Sequence, residues 1–268
     1  MMVWQLARSA CLLVAAGLLV YGLVWNFSTR RYLKGFVDAI IPLTGSPEEK
    51  TVALVGWFHH EPQRYVPPPA WENTETMSER DPVNIVQNAR LLTVCGSASN
   101  AFMNLADVAG LKVRRLLLLN PSGGTMHVVA EVRWGDRWIV VNPSQGFIFM
   151  DSQGRALTRQ ELRDPAVFRD AISRMPGYDP TYIFDHTRHL RLQRIPILGV
   201  PLRRVFDRFA PGWDEWMNWS YLPENPSLCL VLASLPLFLA GLVVHLLMKR
   251  HGRRRQGKKS AELISIHQ

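Results

Sequence analysis

Three residues in this chain have the types and the order to do covalent chemistry. Cys95 stands in Thr93-Val94-Cys95-Gly96-Ser97. His127 follows 32 positions later in Met126-His127-Val128-Val129, and Asn142 follows 15 after that in Val140-Val141-Asn142-Pro143. A thiol is a nucleophile, an imidazole can take its proton and return it, and an amide can hold the imidazole in place. Together they would cleave or transfer an acyl group through a thioester. No other part of the sequence approaches such a set. His59-His60-Glu61 invites a metal reading, but adjacent histidines on a helix diverge by about 100° and form no pincer. The HExxH spacing is also absent, so these residues read as solvated polar groups at a helix end, and no metal or cofactor is expected.

For that chemistry Cys95 must lie at a helix start, and His127 and Asn142 must share one face of a sheet. The stretch from about Val94 to Ala109 meets the first need. Ala98, Phe102, Leu105 and Ala109 recur at three- and four-residue steps, and Gly110 suits a left-handed helix end. Cys95 then falls in the first turn, where unpaired N–H groups and the helix dipole favour a thiolate and offer donors to an oxyanion. Gln87 and Asn88 precede it and are polar enough to donate to an oxyanion, but they read better as surface residues.

Three strands are expected next, over Lys112–Leu119, Met126–Trp134 and Arg137–Asn142. The first two are joined by the turn Asn120-Pro121-Ser122-Gly123-Gly124, the last two by Gly135-Asp136. A two-residue loop pairs Trp134 with Arg137, and counting back pairs Val129 with Asn142. Side chains alternate between faces, so His127, Val129 and Asn142 lie together, with His127 and Asn142 diagonal neighbours. A one-residue bulge would send Asn142 to the other face.

Around this core the pattern predicts a helix over Glu48–Phe58 and a surface loop at Pro67-Pro68-Pro69. A second helix opens at Asp81-Pro82 and runs to about Ala89. Thr158-Arg159-Gln160-Glu161 is a capping box and predicts a helix toward Met175. Trp213, Trp216 and Trp219 precede a long apolar run and read as an aromatic belt at headgroup level. Asn218-Trp219-Ser220 fits a glycosylation sequon, but so near a membrane it reads as coincidence.

Both ends of the chain are apolar. Residues 9–26 and 227–248 each approach the roughly 20 residues that cross a bilayer core as a helix. No small-residue cleavage pattern follows the first, which therefore reads as an uncleaved anchor. The tail 249–268 holds seven Lys and Arg against Glu262, and so carries +6 of the net charge of +9. A basic block beside a span marks the cytoplasmic side. The tail has no aromatic residues for base stacking, so it gives no case for a nucleic-acid partner. Two spans put both termini in the cytoplasm of a two-pass inner-membrane protein, and residues 27–226 outside it. Cys11 and Cys229 fall in the apolar runs, leaving Cys95 as the single thiol of that external domain. With no local disulfide partner, it is better explained as a nucleophile than as an idle thiol.

Taken together, Val94-Cys95-Gly96 at a helix start, His127-Val128-Val129-Ala130-Glu131-Val132 and Trp138-Ile139-Val140-Val141-Asn142-Pro143 resemble the transglutaminase-like superfamily of papain-like cysteine enzymes, as a bacterial membrane-anchored member. The match covers about residues 81–146. The resemblance implies an α+β fold with the nucleophile helix packed on an antiparallel sheet. It also implies acyl transfer or hydrolysis of an amide or peptide bond in a protein or peptide substrate of the envelope. Most members carry Asp where this chain has Asn142; papain-like proteases use Asn. The same fold also serves non-catalytic roles. The alternative is a scaffold or binding module in cell-envelope or exopolysaccharide assembly.

Overall fold

The computed structural model describes residues 2–42, 44–60, 78–190, 199–213 and 225–265. It is an α+β structure whose sheet is antiparallel, with strand order β4-β3-β2-β1-β5. The strands are β1 (Val113–Leu119), β2 (Thr125–Trp134), β3 (Arg137–Asn142), β4 (Phe147–Ile148) and β5 (Thr187–Arg188). The helices are α1 (Met2–Ile40), α2 (Pro47–His60), α3 (Pro82–Val86), α4 (Ala89–Leu92), α5 (Cys95–Val108), α6 (Pro165–Ile172), α7 (Gly199–Phe209) and α8 (Pro226–Ser265).

The chain divides into two compact units. One comprises residues 28–226; the other comprises residues 1–27 and 227–268. The second unit is built from the apolar stretches of α1 and α8, each long and apolar enough to cross a membrane. Their large side chains point outward, Leu13 at 73% exposure and Leu237 at 65%. Such surfaces are costly in water and favourable in lipid.

In the first unit the sheet has an apolar layer on each face. Val113, Ala130, Val132 and Val141 face one way and pack with α2 and α5 around Phe58 and Phe102. Leu116, Val129 and Val140 face the other way and pack with Phe149, Phe168 and Phe184. Strand alternation alone produces this division. The hairpin has the expected register, Trp134 opposite Arg137 and Ala130 opposite Val141. Gly135 has φ +58°, as a two-residue turn of this hand requires.

Several elements depart from expectation. The segment from Asp81 does cap itself as expected, its carboxylate accepting from the Val83 N–H. It does not run to Ala89, however. It stops at Val86, and Asn88 starts α4 by accepting from the Arg90 N–H. A second capping side chain competes with helix continuation and wins here. The capping box forms, with Thr158 N–H donating to Glu161 and Glu161 N–H to the Thr158 hydroxyl. Yet only a short 3₁₀ turn follows, because Pro165 lacks an N–H and Asp164 restarts the chain as α6. Trp213 is buried, its ring on Phe206 and its indole N–H on Asp207, so it forms no belt. Trp216, Trp219, the sequon and Pro67–Pro69 lie outside the described residues. The N-terminal helix continues past residue 26 to Ile40, and Leu33 and Val37 join the core of the first unit.

The turn after β3 meets α2 at close quarters. Gly146 has φ +67°, and a Cβ there would lie 2.3 Å from the His59 Cα. Gly135 shares the left-handed backbone but faces open space. Gly146→Ala should therefore destabilise the protein by more than about 2 kcal/mol, and Gly135→Ala by only about 1–2 kcal/mol. Urea unfolding of the two variants checks the difference; equal losses would remove the close approach.

Candidate active site

Helix α5 is enclosed, which no single apolar stripe could achieve. Residues from Ser97 to Ala106 are buried on every side. Its polar groups are accordingly bonded. Asn104 donates to the Asn100 carbonyl at 2.9 Å, Asn100 to the Arg80 carbonyl at 3.0 Å, and the Ser99 hydroxyl to the Val128 carbonyl at 3.0 Å. A buried polar group without such partners costs about 1–3 kcal/mol. The last of these bonds ties the second turn of α5 to the strand residue that follows His127.

Cys95 is the first residue of α5, capped by Val94 without a side-chain hydrogen bond. Its half-buried thiol packs against Leu117, Leu119 and Val128. Beside it, Gly96 faces open space. The start of the helix is therefore free of packed side chains on the Gly96 side. At the other end, the Leu111 N–H bonds the Ala106 carbonyl around Gly110, whose φ is +81°. Neither Gln87 nor Asn88 attends the thiol. Gln87 donates to the Tyr32 hydroxyl, and Asn88 serves as the cap of α4.

His127 is buried at 6% exposure in the third position of β2. Its ring stacks on Tyr182 at 4.6 Å with 5° between planes, and meets Tyr178 edge-on at 6.1 Å. The Tyr178 hydroxyl donates to the Tyr182 carbonyl, which fixes the two tyrosines relative to each other. Burial pushes the imidazole down to about 4, while the Asn142 side chain and the Asp179 carboxylate pull it the other way. The ring is therefore neutral, a base rather than a cation, at physiological pH. Nε2 is buried without a hydrogen bond of ordinary length. The Asn142 amide is close enough to favour the charged ring but does not close on that nitrogen.

Asn142 is fully buried at the end of β3. Its Nδ2 donates to Gln145 Oε1 at 2.8 Å, and its Oδ1 accepts from the Ser144 hydroxyl at 3.0 Å. An amide has two donors and two lone pairs, so one of each remains for the ring. Gln145 in turn donates to the Gly177 carbonyl at 3.1 Å. A chain of polar contacts thus runs from Asn142 to the loop that carries Tyr178 and Tyr182.

On the same strand face, four residues from His127, the buried Glu131 accepts from Arg114 Nε at 2.6 Å and meets His189 Nε2 at 2.9 Å. Burial opposes its ionisation, but the His189 and Arg114 contacts hold its carboxyl below the usual range. The Arg114 guanidinium lies 4.2 Å over the Trp138 ring. Among the described residues no cluster of His, Cys, Asp or Glu could hold a metal ion. His59 packs on Phe147 and His60 instead.

The structure thus brings His127 and Asn142 to one face of the sheet, with Leu118, Val129 and Val140, and places Cys95 on the other face, against Leu117, Leu119 and Val128, rather than at the ring edge. Tyr178, Asp179 and Tyr182 could not be found from spacing, since they reach the ring from a loop some 50 residues on. Compared with family models, with curated proteins and with solved structures, the chain matches none.

Burial of the imidazole links folding to pH. Its folded value of about 4 lies under the free value of 6.5. Between these values the unfolded chain binds the proton more readily. The stability is therefore complete above about pH 6.5 and is lost as pH falls toward 4, by roughly 3 kcal/mol at most. Urea unfolding at pH 7 and pH 4 should show this loss in the native protein and a loss smaller by that amount in His127→Gln. Equal slopes in the two proteins would mean that the ring is not buried in its neutral form.

Proposed function

We propose that this chain is a two-pass membrane protein carrying a transglutaminase-like cysteine enzyme domain outside the cytoplasm, acting on amide bonds of a protein or peptide. One observation carries the reading. The hairpin register sets Asn142 beside the neutral, buried imidazole of His127; Cys95 begins α5 on the other face of the same strand, against Val128.

In this reaction the imidazole must first turn around the start of β2 to reach the thiol, since the two lie on opposite faces of the sheet; His127 then takes the thiol proton and the Cys95 sulfur attacks the amide carbonyl carbon. First-turn N–H groups of α5 receive the oxyanion. The C–N bond breaks, the amine leaves with the proton returned by His127, and a thioester remains. Water then attacks the thioester with His127 again as base, releasing the acid and restoring the thiol. Asn142 orients the ring throughout, and Tyr182 shields its face. An amine in place of water would give cross-linking. Water is the simpler acceptor, being abundant at a domain outside the cytoplasm.

The probe is iodoacetamide, applied to full-length protein with Cys11 and Cys229 replaced by alanine. Cys95 should alkylate rapidly in the folded state at neutral pH, and more slowly in His127→Ala. Once a substrate is in hand, His127→Ala should cost turnover about 10²–10⁴-fold. Asn142→Ala should lower turnover without unfolding the domain. Asn142→Asp should keep or raise it and lift the His127 pKa, because a carboxylate stabilises the imidazolium. A thiol that reacts only on unfolding makes Cys95 a core residue and the domain a scaffold.

The compartment is tested separately. A reporter fused after Gln268 should behave as cytoplasmic and one inserted at Pro68 as external. The reverse pattern would place the domain in the cytoplasm.

A further inference from the structure

Outside the candidate site, the clearest unpartnered surface belongs to α7. Leu202, Val205, Phe206 and Phe209 recur at three- and four-residue steps and form one apolar face. Arg203, Arg204 and Arg208 occupy the other side. The helix is closed off locally. Trp213 folds back on Phe206 at 5.0 Å between ring centroids, and its indole donates to Asp207 at 2.9 Å. Asp207 also takes Arg203, at 3.2 Å. The rest of the apolar face stays open, with Val205 at 49% exposure and Phe209 at 76%. Among the described residues Arg204 and Arg208 have no acidic partner, which leaves the polar side basic.

Its place in the chain and its charge select what covers this face. The sequence places α7 only 16 residues before α8, one of the two helices apolar enough to cross a membrane. Its polar side also has three arginines against one aspartate, a match for a negatively charged surface. An amphipathic helix with a basic polar side and an aromatic on the other lies in the headgroup region of a bilayer, its apolar face at the acyl boundary. We propose that α7 is such an interfacial helix. Val205 and Phe209 enter the lipid, and Arg204 and Arg208 meet anionic phospholipid headgroups. This rests on the two-pass membrane reading and adds a third lipid contact, one that would hold the external domain close to the bilayer.

The experiment uses the full chain with its three cysteines replaced by alanine, reconstituted in vesicles. A polarity-sensitive fluorophore is attached at Phe209→Cys, at Arg204→Cys, or at Leu239→Cys within α8. The vesicles are phosphatidylcholine alone, or phosphatidylcholine with an equal part of phosphatidylglycerol, each with and without nitroxide-labelled lipid. The label at 209 should shift to shorter wavelength and lose emission to shallow nitroxides, more so with phosphatidylglycerol. The label at 204 should stay quenchable by aqueous iodide. Arg204→Ser with Arg208→Ser should reduce lipid quenching at 209. Three results overturn the proposal. The first is a label at 209 that stays open to iodide in both vesicles while the label at 239 is quenched by lipid. The second is shielding at 209 that depends on protein density rather than lipid, which makes a second copy the occupant. The third is loss of lipid quenching at 239 as well, which removes the membrane reading itself.

Discussion

Two residues decide which side of the sheet Asn142 faces. Gly135 and Asp136 form the turn between β2 and β3, and the positive φ of Gly135 lets the strands meet with Trp134 opposite Arg137. Side chains in a strand repeat every two residues, so a slip of one position would reverse every assignment on β3. Asn142 would then face α5, and Val141 would face the tyrosines. On β2, Ala130 and Val132 lie under α5, and Val141 joins them from β3. A slipped β3 would put Asn142 into that apolar layer and strip Trp138 from the Arg114 guanidinium, so both contacts penalise it. The pairing of His127 with Asn142 is thus held in part by contacts far from either residue.

Helix α5 is the second fixed point. Its first turn has no side-chain cap, and its position comes from being enclosed. Phe102, Leu105 and Ala98 fill the core, while Ser99, Asn100 and Asn104 bond to the surrounding backbone and to one another. Asn225 reaches Asn104 from the far end of the same unit. A helix held by polar bonds on several sides cannot rotate without breaking them. Cys95 is therefore positioned by the core behind it, and its own surroundings remain open at Gly96.

Much of this arrangement was legible in the chain. The strands, the two-residue turn, the helix beginning at Cys95 and the shared face of His127 and Asn142 follow from local rules of periodicity and turn chemistry. What was not legible came from competition or from distance. Asn88 and Pro165 each broke a helix that the wider pattern favoured, because one side chain or one missing N–H outweighed propensity. Trp213 read as a headgroup anchor, and its partner Phe206 drew it inward. Tyr178, Asp179 and Tyr182 sit in a loop without periodicity, so their place over the imidazole depends on tertiary folding alone. The burial of α5 on all sides was hidden for a related reason. Serine and asparagine look like surface residues until the backbone groups they satisfy are known.

The imidazole of His127 has a nitrogen that is enclosed and unbonded. A group that bonds it with suitable geometry meets the folded chain alone, since the unfolded chain has no such arrangement. Binding there and the folding equilibrium are therefore linked, so that whatever bonds the ring also tightens the hairpin that sets Asn142 beside it.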